Sequence, residues 1–483
     1  MPVTQDWNLR PAGWFAFVAV TAFCLWVPAA LGSNRPYIWA INGTILSGIA
    51  VLTLLGLPLS HQRGWRSLRI GQGLFALLIL WIGGSAVLGE AFSGVAWNSR
   101  ASVSALLYDV RALASYSQTD STLILIALVS HSLLWWVVVQ LVQHGFGRFL
   151  YWSILCVVTG HALLGLIGGG GEASLLKPLG QTQTGDVGSG FVNRNHFASY
   201  LGLGAVLAVA LALRNARQMT YEGVRSSVVL RVFLSSAALM LITLALLSTQ
   251  SRMGLAASAT GVLAVILLHG FVCRAWGVTV TFLLLYVVAV NLAVFFTVDV
   301  LERFAAADTD FQTRLDIYRQ ALELWKIRPW TGFGAGSFET VFATIGDGQL
   351  LSGQMITHGH NSYITLLVEM GLLGSLIVLS LFIWLIIEQV RALGRRHYFA
   401  GLVGLACLVV QGVHSALDFS AEIYAVMSLL VLMLAMSTGF NQRRRQQSFA
   451  RKASTPSLMK LTGSAELRTT QVLLYPSVRK HYP

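Results

Sequence analysis

Three short polar stretches interrupt an otherwise apolar chain, and each contains side chains able to do chemistry. The first, Gly188-Ser-Gly190-Phe191-Val-Asn193-Arg194-Asn195-His196-Phe197, sets two amides, a guanidinium and an imidazole in four consecutive residues at the start of an apolar run. Free N–H groups and the helix dipole favour an anion at such a point, and a phosphate or pyrophosphate would fit. Simple helix capping by Asn193 or Asn195 is the alternative. The second, Ser248-Thr-Gln-Ser251-Arg252-Met-Gly254, is so short a turn that Arg252 stays near the hydrocarbon boundary, where an arginine snorkels or pairs with a negative group. The third runs from His358-Gly-His360-Asn361 into an apolar segment that carries Glu369. A neutral imidazole can take a proton from a hydroxyl near neutral pH, and Asn361 can orient the ring or a substrate. A carboxylate within an apolar segment is functional or paired, and Arg252 is one candidate partner for Glu369.

The elements that carry these clusters follow from composition. The chain has 483 residues, 55% apolar and 11% charged. Soluble domains carry roughly a quarter charged residues, so this is an integral membrane protein of all-α, polytopic class. Twelve runs are long enough to cross hydrocarbon: about 13–32, 37–58, 70–90, 121–143, 149–170, 196–213, 232–249, 253–273, 276–298, 363–388, 399–418 and 422–440. The first run ends in small residues like a secretory signal. Eleven further runs follow it, so it is read as an uncleaved span.

Lysine and arginine are unevenly divided between alternate loops. With the long loop and the tail set aside, 13 lie on the side of the N-terminus and 6 on the other. Both termini are therefore expected in the cytoplasm, with the three polar clusters outside. Residues 1–440 are expected to form the membrane domain, with one large outer loop at about 299–362, and the basic tail 441–483 to be disordered and suited to anionic headgroups. The net charge of +13 is accounted for by this distribution rather than by nucleic acid. Cys24, Cys156, Cys273 and Cys407 lack disulfide or zinc-ligand spacing. No internal repeat supports a transporter built from two similar halves.

In the long loop, Thr309-Asp310-Phe311-Gln312 has the form of a capping box, and Phe311, Leu315, Tyr318, Leu322 and Trp325 recur at helical spacing until Pro329. The pattern predicts an amphipathic helix lying over the membrane domain, with Arg314 one turn before Tyr318. Asp308-Thr-Asp310 is formally a metal-binding DxD, and helix capping is the competing reading. Thr331-Gly-Phe-Gly-Ala-Gly336 lacks the GK[ST] of a P-loop and marks tight turns. His131, Gln140 and His161 have no nearby partner in the sequence. His414 and Asp418 stand one turn apart and would line a common cavity.

His360-Asn361, followed after nine residues by Gly371-Leu-Leu-Gly374, resembles the histidine motif of the bacterial O-antigen ligase and O-antigen polymerase family of polytopic membrane glycosyltransferases. Phe191 to His196, Ser251-Arg252-Met-Gly254 and the Arg314 helix are similar as well, and together they span residues 185–375. In some ligases a leucine stands four positions after the second-cluster arginine, where this chain has Ala256; ligase and polymerase both stay open.

The resemblance implies transfer of a glycan from a polyprenyl-diphosphate donor to an acceptor hydroxyl, on lipid A core or another surface glycan, at the periplasmic face of the inner membrane. It implies a metal-independent, cofactor-free, inverting reaction. Its site residues would be His360, Arg252 and Arg314 as catalytic groups. Asn193, Arg194, Asn195, His196, Asn361, Tyr318 and Glu369 would bind substrate. A repeat-unit polymerase or a protein O-oligosaccharyltransferase would use the same chemistry. A transporter or lipid-linked glycan flippase, or a metal-dependent transferase using Asp308 and Asp310, are the readings from other classes.

Overall fold

The computed structural model describes residues 11–58, 66–91, 117–168, 189–285, 300–345, 356, 358–394 and 398–454. The helices are α1 (Pro11–Ala29), α2 (Pro36–Gly56), α3 (Arg66–Ala91), α4 (Gln118–Gln143), α5 (Gly147–Gly168), α6 (Arg194–Glu222) and α7 (Ser226–Ser248). They continue as α8 (Arg252–Cys273), α9 (Trp276–Leu285), α10 (Val300–Ile327), α11 (Phe338–Ile345), α12 (Ser362–Leu393), α13 (Tyr398–Ser415) and α14 (Tyr424–Ser454). Among the described residues eleven of these are long and apolar enough to cross a membrane. The expected span at 276–298 is represented by the short apolar α9, and its remainder lies outside the described residues.

α6 is the central post. From Phe197 to Leu213 nearly every side chain is buried, whichever way it points, which is how a helix apolar all round must sit. α7, α8 and α13 pack on it, and α8 approaches closely because small residues stand at the crossing. A Cβ on Gly202 would lie 2.2 Å from Ser258 Oγ, and one on Gly254 2.4 Å from the Cβ of Ala198. α13 packs on α6, α8 and α12, so these helices share one core.

Two expectations change here. The loop helix begins at Val300, so Thr309 to Gln312 lies inside α10 rather than at its cap. Its most buried residues are Ile317, Ala321 and Leu324, with Tyr318 and Trp325 at the margin. Pro329 stops the helix as expected. The last helix continues to Ser454, so residues 441–454 are helical; the rest of the expected disordered tail lies outside the described residues.

α12 is broken at Gly371, whose backbone turns to φ 59 and ψ −170. The glycine-rich segment after Pro329 fills the break. Phe333 and Gly334 donate to the carbonyls of Val368 and Glu369 at 3.0 and 2.7 Å, while Leu372 and Leu373 donate to Pro329 and Trp330 at 2.8 and 3.1 Å. An interrupted helix in hydrocarbon needs its freed groups bonded from within the protein, and this segment supplies the bonds. The approach demands glycine on both sides. A Cβ on Gly332 (φ 68) would stand 2.3 Å from the Glu369 carbonyl oxygen, and one on Gly371 2.4 Å from the Trp330 backbone.

Candidate active site

The first two polar clusters are joined. Asn193 caps α6 by accepting from the Asn195 N–H at 2.8 Å. The Asn195 side chain then accepts from Ser251 Oγ at 2.7 Å, and Ser251 in turn caps α8 by accepting from the Gly254 N–H at 3.1 Å. Two helix N-termini thus lie side by side, with Arg194 and Arg252 exposed as the first residue of each helix. Capping and clustering are the same arrangement here.

The third cluster is organised by residues 416–423, the link between α13 and α14. Asn361 caps α12 by accepting from the N–H groups of Tyr363 and Ile364, and its own amide donates to the Ala416 carbonyl at 2.9 Å. Arg314 donates to the Leu417 carbonyl at 2.8 Å. Ser362 reaches the Glu422 carboxylate at 3.3 Å, and His358 Nδ1 lies 3.0 Å from the other oxygen of that carboxylate. Phe419 is surrounded by imidazoles: His358 stacks on it at 4.0 Å, while His196 and His360 meet it edge-on at 4.5 and 5.5 Å. His196 carries the joined N-termini of α6 and α8 to the same place.

His360 adopts a left-handed backbone, φ 48, and its carbonyl accepts from the Tyr318 hydroxyl at 2.9 Å. Burial pushes the Tyr318 phenol up. His360 Nδ1 faces Asp418 at 3.7 Å, beyond a hydrogen bond but within ion-pair reach. Asp418 is 0% exposed and its Oδ1 accepts from the Phe419 N–H at 2.9 Å. Burial by itself raises this carboxyl. The His360 ring, the imidazoles of His196 and His414 and the Phe419 amide outweigh burial and hold it well below the usual carboxylate range. Four buried polar atoms gather here without a hydrogen-bond partner: Asp418 Oδ2, His360 Nδ1, His196 Nε2 and His414 Nε2. Hydroxyl groups, which both donate and accept, would satisfy them.

His360, Asn361, Arg314, Tyr318, His196 and Asn195 therefore meet at one end of the bundle, with Asn193, Arg194 and Arg252 beside them. Glu369 stands apart. Its carboxylate accepts from the Phe338 N–H at 3.1 Å, at the start of α11 just past the glycine-rich segment, rather than pairing with Arg252. His414 Nδ1 bonds Ser420 at 2.8 Å, and the His414 carbonyl accepts from the Asp418 N–H at 2.9 Å. Phe419, Glu422 and the carbonyls of Ala416 and Leu417 escaped the sequence reading. The available signal was two acids flanking a phenylalanine in a short loop between apolar runs, Asp418-Phe419-Ser-Ala-Glu422. Among the described residues no three His, Cys, Asp or Glu side chains converge to hold a metal ion. Asp308 and Asp310 lie within α10.

Residues 237–379 match the family model described as O-antigen ligase. The matched segment contains Arg252, Arg314, Tyr318, His360, Asn361, Glu369 and the Gly371 break. No curated protein matches the chain.

Proposed function

Residues 237–379 match the O-antigen ligase family, and on that premise we propose that the chain transfers a glycan from a polyprenyl-diphosphate donor to an acceptor hydroxyl at the periplasmic face of the bacterial inner membrane. The observation that carries this reading is the convergence of His360, Arg314, Asn361 and His196 on residues 416–423. Asp418 lies against Nδ1 of His360 and favours a proton there, which leaves Nε2, on the other side of a ring about a third exposed, to accept the acceptor's hydroxyl proton. The acceptor oxygen bonds the anomeric carbon as the bond from that carbon to the diphosphate breaks, and attack opposite the leaving group inverts the centre.

The departing diphosphate is already charged. Fixed cations are what it needs, and Arg252 and Arg314, with Arg194 and the adjoining N-termini of α6 and α8, are suited to that role. Arginines and helix ends do here the electrostatic work that a divalent cation does elsewhere, so we propose a metal-independent reaction. Acceptors on lipid A core, on a second glycan chain or on a protein would make the enzyme a ligase, a polymerase or an oligosaccharyltransferase. A flippase would need charge spread through the membrane depth, whereas these groups gather at one end.

Purified protein given polyprenyl-diphosphate glycan and candidate acceptors, with and without EDTA, tests the proposal. Transfer that persists in EDTA supports it. Movement of donor across vesicles without any new glycosidic bond would replace it with the flippase reading.

A further inference from the structure

The helices α6, α8 and α13 build the candidate active site with one set of ends and gather a second polar cluster at the other. Near the end of α6, Arg217 donates to the Tyr398 hydroxyl at 3.4 Å, at the start of α13. Its guanidinium lies over the rings of Tyr221 and Tyr398, at 5.2 and 5.9 Å. α8, which packs along α13, ends at the buried Cys273. One turn earlier in α8 stands His269. His269 is 2% exposed, yet neither ring nitrogen has a hydrogen-bond partner. Thr279 of α9, packed against Gly270 and also 2% exposed, leaves its hydroxyl unbonded, and so does the Nε of Arg217.

A guanidinium stacked on aromatic faces keeps its planar edge for an anion, and a half-buried cation calls for one. Among the described residues no carboxylate stands within ion-pair distance of Arg217. Arg214, over the ring of Phe399 at 4.8 Å, adds positive charge beside it. Basic pockets between membrane helices at the arginine-rich side suit phosphate headgroups. We propose that Arg217, Tyr398 and His269 bind the phosphate ester of an anionic lipid at the bundle end opposite the glycan site, about 30 Å from it along α6. Arg217 supplies charge and a flat donor edge, Tyr398 a hydroxyl, and His269 and Thr279 the donors that burial leaves unmatched.

The test is the unfolding midpoint of the full-length chain in detergent, titrated with phosphatidylglycerol, phosphatidylcholine or sn-glycerol 3-phosphate. Phosphatidylglycerol should raise the midpoint and phosphatidylcholine should not. Arg217→Gln should weaken phosphatidylglycerol binding at least about tenfold, the size expected for loss of a charged hydrogen bond. Arg391→Gln, which removes an exposed arginine paired with Glu388, should bind as wild type. A midpoint rise with glycerol phosphate as well supports a phosphate site whose specificity lies in the headgroup alone. If Arg217→Gln does not accumulate folded, His269→Ala and Tyr398→Phe carry the same expectation. Equal stabilisation by phosphatidylcholine, or wild-type phosphatidylglycerol binding in all three variants, overturns the proposal.

Discussion

Asp418 and His360 face each other at 3.7 Å, and the roles proposed for them separate experimentally. Under the proposed mechanism, His360→Ala removes the proton acceptor and should lower transfer by about 10²–10⁴-fold, the usual worth of general-base catalysis. Arg252→Ala should lower it by a comparable factor, with membrane insertion intact in both; wild-type rates in the purified variants would sink the assignment. Asp418 makes a different prediction. Its folded pKa is held below that of the unfolded chain. Its contribution to stability is therefore fully present above the ordinary carboxylate value of about 4 and is lost as pH falls through the lower folded value. The difference in unfolding midpoint between wild type and Asp418→Asn should stay constant from pH 7 to about 4 and narrow only below that.

At the level of elements, the broken α12 and the segment that fills it stand or fall together. Gly371→Ala or Gly332→Ala would force a Cβ into backbone at 2.3–2.4 Å on a residue with positive φ. Each should destabilise by about 3 kcal/mol or more, in the range of the severe backbone-strain class. Gly48→Ala, in α2 with nothing within 4 Å of the added atom, should be neutral or slightly stabilising. Thermal unfolding of the three variants compares them directly. Glu369 belongs to this same joint through Phe338. Glu369→Gln keeps an acceptor for that N–H and should retain transfer, whereas Glu369→Leu should lose both stability and activity. Loss of transfer in Glu369→Gln with a wild-type midpoint would instead put the carboxylate among the substrate-binding groups.

For the whole molecule, the decisive property is which side each end faces. The arginine asymmetry predicts that the α7–α8 turn lies outside and the α6–α7 link inside. In a background free of the four native cysteines, Gln250→Cys should react with an impermeant maleimide on intact cells, and Gly223→Cys only after permeabilisation. The reverse pattern would put His360 and Arg252 in the cytoplasm and exclude a periplasmic transfer.

By itself the sequence determined the helices and the raw materials of the site. Backbone in hydrocarbon must satisfy its own hydrogen bonds, so each long apolar run has helix as its outcome, and composition alone locates it. The polar clusters at Asn193–His196, Ser251–Arg252 and His358–Asn361 were legible because such residues are costly near a membrane and stand out against it. Only the tertiary structure decided which of them meet. Asn195 finds Ser251 across 56 positions and Arg314 finds Leu417 across 103. Tyr398 likewise comes to Arg217 from 181 positions away. The break at Gly371 needed a partner from another segment before it could form. Such pairings are set by how α6, α8, α12 and α13 pack, and local pattern carries no record of packing between distant segments.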